Sequence, residues 1–286
     1  MFRGQHKDSA FLMPEQRYIL LDQGAFRGET LRELIANDAN VCFVIPDVAF
    51  SEMAIKADPI NSISRSLVAL RPAIDRTFVS LSCGEIKALQ QRGSAVALHE
   101  ILSGPGTKIA RVLIEGETCP DYDRVVDRIL ETAPNHKKLF DGRQDKAVMM
   151  DHVAIFTRNL GANGAKALRA GRISEIEKLG MILLVMTKMA TSTGPFESDI
   201  DMRHLVVRLA RILMWVERQG LDNMKPDKIM NDFIDMDFVV AGSFFDETMT
   251  HDKTLAALDR VIRDAMDGET AERAVRAAQT IGFKVA

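Results

Sequence analysis

Asn231-Asp-Phe-Ile-Asp-Met-Asp-Phe-Val-Val-Ala-Gly-Ser-Phe-Phe-Asp-Glu-Thr-Met-Thr-His-Asp-Lys-Thr-Leu255 is the stretch on which the reading of this chain turns. Its apolar spacing predicts a helix from Asp227 to about Gly242. Glu247–Thr250 then reads as a short strand, and Lys253–Met266 as a second helix with Asp252 at its N-cap position. Asp232 and Asp235 lie three apart and share a helix face. Like charges on one face cost stability, and a nearby cation would offset that cost. Asp237 lies about 200° round the helix from Asp235 and is left out of that set.

Working back to the other end of the chain, Tyr18-Ile-Leu-Leu-Asp22 reads as a short buried strand that ends in an acid. Glu29 to Asn37 has helical spacing. Val41-Cys-Phe-Val-Ile45 is a second buried strand, rich in β-branched and aromatic residues, and Pro46 ends it. Asp47 can cap a following helix that carries Glu52. Strand–helix–strand–helix predicts an α/β fold with a parallel sheet flanked by helices. Residues 60–220 change character. Helical periodicity marks Ser62–Ile74, Glu85–Arg92, Asp121–Thr132, Gln144–Thr157, Ser174–Met189 and Asp201–Gln219, with a third strand at Thr77–Leu81. The expected organisation is a discontinuous α/β core of residues 17–58 and 227–286, a large, mostly helical insertion at 60–220, and an N-terminal extension at 1–16. A helix near Ala271–Thr280 and an edge strand at Gly282–Ala286 close the chain.

The composition bounds the function. The 286 residues carry a formal net charge of −3, so contact with nucleic acid has to be local or helped by metal ions. Cys42, Cys83 and Cys119 are odd in number and far apart, which argues against a disulfide framework or a structural zinc site and fits a reducing cytoplasm. His99, His136, His152, His204 and His251 show no metal-ligand spacing among themselves. The N-terminal residues lack the apolar core of a signal peptide. The most apolar segment, Met181–Met189, is too short to span a bilayer, so no membrane partner is expected. From His152 to Ser174 the chain has no acid but has Arg158, Lys166, Arg169 and Arg172. That is a solvated face or a phosphate-contacting arm.

In a parallel sheet, ligands bind outside the carboxyl ends of the strands. Asp22 and Asp252 follow two strands and Glu52 sits on the helix after another, so carboxylates from both chain ends can converge at one sheet edge. Mg²⁺ or Mn²⁺ wants hard oxygen ligands of this kind. The run ending in Thr250-His-Asp252-Lys253 resembles the closing motif of PIN-domain ribonucleases, in which an acidic helix precedes a strand and a Thr-x-Asp-Lys turn. Ile19-Leu-Leu-Asp22 resembles that family's first strand and metal-binding aspartate. Val44-Ile-Pro-Asp-Val-Ala-Phe-Ser-Glu52 resembles its second strand and the helix with its glutamate. The resemblance covers residues 17–58 and 227–266, and Gln23-Gly24 stands where the family usually has a small hydroxyl residue and asparagine. It implies a PIN-like fold and a metal-dependent ribonuclease. Asp22, Glu52, Asp235 and Asp252 would be catalytic metal ligands, Asp232 a further ligand, and Thr250 a support for one carboxylate. RNA would be the partner, and the apolar insertion could supply a dimer surface. A PIN-like module that binds RNA or protein without cutting it is the second reading. An all-helical interaction protein is the third.

Overall fold

A computed structural model describes residues 16–54, 56–92, 96–139, 143–190, 199–218 and 226–283. The elements in chain order are β1 (Arg17–Leu21), α1 (Glu29–Asn37), β2 (Val41–Ile45), α2 (Asp47–Ala54), α3 (Pro59–Leu67), β3 (Thr77–Val79), α4 (Cys83–Gln90), α5 (Gly104–Glu115) and α6 (Tyr122–Leu139). They continue with α7 (Arg143–Arg169), α8 (Glu175–Met189), α9 (Ile200–Glu217), α10 (Pro226–Gly242), β4 (Glu247–Met249), α11 (Lys253–Met266) and α12 (Gly268–Thr280). The four strands form one parallel sheet in the order β3-β2-β1-β4.

The two central strands read as unbroken apolar runs because both of their faces are covered. Every residue of β2 is buried, as are Tyr18 to Leu21 of β1. Alternation then sorts the side chains. Tyr18, Leu20, Cys42 and Val44 enter a core built with α7 to α12. Ile19, Leu21, Val41, Phe43 and Ile45 enter a second core built with α1, α2, α3 and α5. The result is three layers, helices over sheet over helices. Residues 60–220 are mostly helical, and their helices bury their apolar faces in the same two cores as the terminal elements.

Local chemistry sets the element ends. Ser82 and Ser174 cap α4 and α8 in reciprocal boxes with Glu85 and Glu177. Asp199 and Asp252 cap α9 and α11. The expected Ser62–Ile74 helix instead ends at Leu67 and tightens into a 3₁₀ stretch, Val68–Arg76, that contains Pro72. The expected third strand stops at Val79, and Ser80 bridges antiparallel to Leu102. Of the expected closing strand, Gly282 forms a turn and Phe283 is not in a strand, while residues 284–286 lie outside the described residues, as do residues 1–15 of the extension. α8 and α12 approach unusually closely. A Cβ on Gly180 would fall 2.0 Å from the carbonyl oxygen of Ala274 and 2.8 Å from the Ala278 methyl. Glycine is therefore the residue that lets the two helices meet. No helix among the described residues is long and apolar enough to cross a membrane.

Candidate active site

The chain runs β1 to β2 to β3 toward one edge of the sheet, then returns to place β4 on the other side of β1. The strand order therefore reverses between β1 and β4, which is where open α/β sheets form a ligand crevice beyond their carboxyl ends. Asp22 is the residue after β1 and Thr250 the residue after β4. The Asp22 amide donates to the Met249 carbonyl at 3.0 Å, so the ladder delivers both residues to the same edge in register.

Thr250 joins the two acids on either side of it. Its hydroxyl donates to Asp22 Oδ2 at 3.0 Å and accepts the Asp252 amide at 3.0 Å. Asp252 in turn accepts the amides of Thr254 at 2.6 Å and Leu255 at 3.1 Å through Oδ1. The capping role read for Asp252 is thus present, and it commits one carboxylate oxygen to α11. Gly24 leaves room beside Asp22, because a side chain there would begin 3.2 Å from Asp22 Oδ2.

Glu52 and Asp235 complete the group. Pro46 ends β2 and α2 starts at once, which carries Glu52 on its second turn, half-buried. α10 packs on α2 and on β4. Burial pushes the Glu52 carboxyl up, and the charge of Asp22 pushes it further. Asp235 is raised from its ordinary 3.8 to about 7, first by burial, then by Asp232, with Asp252 and Glu52 adding to it and Arg211 opposing it. The charge of Asp22 is thus felt at Glu52, and those of Glu52 and Asp252 at Asp235, so the four carboxylates are neighbours. They are not tightly gathered: among the described residues, no three of these carboxylates bring oxygens within 4.8 Å of each other. Such spacing fits an ion held directly by one or two carboxylates and otherwise through water, the usual habit of Mg²⁺. The all-oxygen, all-anionic donor set fits it too.

Asp232 has a different partner from the one expected of it. It is only 3% exposed, and its Oδ1 accepts from Arg211 Nη2 of α9 in a buried ion pair. Its Oδ2 is buried without a hydrogen-bond partner. Asp232 therefore acts on the site through its field at Asp235. Of the basic residues, Arg158, Lys166 and Arg172 are exposed. Arg169 is exposed as well but donates Nε–H to the Val216 carbonyl at the end of α9, at 3.3 Å.

A second cluster was invisible in the sequence. Cys83, His204 and Asp237 each offer a ligand atom, and these atoms lie within 4.8 Å of one another. They come from α4, α9 and α10, far apart along the chain, and no local spacing announces them. Burial lowers the His204 imidazole to about 4, with Arg208 adding to the effect, so the ring is neutral at pH 7. Comparison of the chain with protein-family models, with curated proteins and with solved structures gives no match.

Proposed function

We propose that this chain is a PIN-like, divalent-metal-dependent nuclease, with RNA as its substrate. What supports the reading is the position of Asp22, Thr250 and Asp252 at the switch point between β1 and β4, with Glu52 and Asp235 near enough for the neighbouring charges to raise them. Asp22, Glu52 and Asp235 would hold Mg²⁺ or Mn²⁺, with Asp252 contributing its uncommitted oxygen. A divalent ion bound there neutralises phosphoryl charge and makes a bound water more acidic. The chain's own groups do the rest. Thr250 holds Asp22 in one orientation. Glu52, as a ligand of the ion or through a hydrogen bond to its water, would orient the water that attacks phosphorus. Arg158, Lys166 and Arg172 are the proposed contacts to the nucleic-acid backbone.

The second reading is a PIN-like module that binds RNA or protein without cutting it. The observation in its favour is the open spacing of the carboxylates, together with the commitment of Asp252 to the α11 cap. Incubating the purified chain with Mg²⁺ or Mn²⁺ and a panel of single-stranded and structured RNAs separates the two. Cleavage that a chelator stops, and that Asp22→Asn reduces by orders of magnitude, supports the nuclease. RNA binding without cleavage under either metal favours the module.

A further inference from the structure

We propose that Cys83, His204 and Asp237 form a second metal site, specific for a borderline-soft divalent cation, with Zn²⁺ as its first choice. The inference is independent of the acidic site. The three donors sit on three different helices, and those helices are locked together without any metal. Lys87 of α4 pairs with Asp201 of α9 at 2.7 Å, and the Ile200 amide donates to Gln90 Oε1 at 3.0 Å. The Cys83 thiol donates to the Asp237 carbonyl at 3.4 Å, and His204 Nε2 lies 3.8 Å from Asp237 Oδ1. A sulfur, an imidazole nitrogen and a carboxylate oxygen are thus held near one point by packing, as a site built on rigid elements requires.

The donor chemistry selects the ion. Thiolate and imidazole suit Zn²⁺ and disfavour Mg²⁺. Three protein ligands would leave a fourth position open, and all three donors line one cavity of about 520 Å³ together with His152, Lys87 and Arg208. The Nδ1 atom of His152 is buried without a hydrogen-bond partner. A water, or a ligand brought into that cavity, would fill the fourth position. Coordination replaces the S–H bond of Cys83 by an S–metal bond, and the displaced proton passes to solvent.

The site also has a mechanical consequence. Asp237 and Asp235 are two residues apart on α10 and point to nearly opposite sides. A metal on Asp237 would tie α10 to α4 and α9 while Asp235 faces the acidic crevice.

The test uses the metal-stripped 286-residue chain with Zn²⁺ and Co²⁺ as probes. One Zn²⁺ should bind per chain, and Cys83→Ser, His204→Gln and Asp237→Asn should each weaken it at least about tenfold. Bound Co²⁺ should show a thiolate charge-transfer absorption that Cys83→Ser removes. If Cys83→Ser does not fold, His204→Gln keeps the thiol and should still change the Co²⁺ spectrum. Asp22→Asn should leave Zn²⁺ binding unchanged. Co²⁺ binding with no thiolate signature, or Zn²⁺ binding that Asp22→Asn abolishes, overturns the proposal.

Discussion

Asp235→Asn should stabilise the metal-free protein, and by an amount that grows with pH. In the folded chain Asp235 gives up its proton only near pH 7, against an ordinary value of 3.8. The folded state therefore holds a proton that the unfolded state has lost, across the window from about 4 to about 7. Stability falls as pH rises through that window, because a charge is being forced onto a buried group beside other acids. A rise from 3.8 to about 7 corresponds to about 4 kcal/mol once both states are ionised, and partial access to water reduces this to roughly 2–4 kcal/mol. Asparagine carries no charge, so the substitution recovers that amount above pH 7 but only roughly 1–2 kcal/mol at pH 5. Equilibrium urea unfolding in chelator, repeated at pH 5, 6, 7 and 8, measures both numbers. In saturating Mg²⁺ the sign should reverse, since an ion bound only to the folded wild type adds stability that the variant lacks. Equal midpoints at every pH, or a gain that does not change with pH, would refute the account of Asp235.

The remaining predictions concern the frame around the site. Gly180→Ala should cost about 3 kcal/mol or prevent folding, measured by denaturant midpoint, because the new methyl meets the backbone of Ala274 rather than a movable side chain. Arg211→Met should cost about 3–5 kcal/mol by leaving Asp232 buried and unpaired, and adding Asp232→Leu should restore most of it; no recovery would mean the pair is not the source of the loss. Replacing Arg158, Lys166 and Arg172 together by Ala should weaken RNA binding and flatten its dependence on salt, while the urea midpoint stays put. Arg169 is kept out of that set because its bond to the end of α9 makes it structural as well.

What could be read beforehand was whatever is written locally. Ile19 to Leu21 and the β2 run are apolar without interruption, and both became central strands. Lys253–Met266 formed as expected behind its Asp252 cap. α5 was missed because its opening, Gly104-Pro-Gly106, looks like a turn. In the structure Pro105 occupies a first-turn position where its missing N–H costs nothing, and Ser103 caps the helix through the Gly106 amide. Strand ends and a helix face mark these acids in the sequence by simple rules, and the resemblance to a known motif ordered them. Their spacing could not be read, since it depends on how α10 lies against α2. The partner of Asp232 was equally hidden: Arg211 lies on another helix, and only packing brings the two together. Cys83, His204 and Asp237 show the same limit in a stronger form.

The position of β1 has a consequence for how the protein is made. Of the four strands of the sheet, β1 is synthesised first and lies between β2 and β4, yet β4 follows more than two hundred residues later. Until then one side of β1 presents unpaired amides and carbonyls, the kind of edge that invites wrong partners. The strand that finally seals it is only three residues long and has a single ladder position that is fully buried, Met249. α11 adds to its hold through Arg263, which reaches back to the carbonyls of Gly242, Phe245 and Asp246 and to the Thr248 hydroxyl. The mutually repelling carboxylates are on the same schedule. Asp22 and Glu52 are synthesised long before Asp235 and Asp252, so the nascent chain is spared their repulsion until the closing step that also completes the sheet.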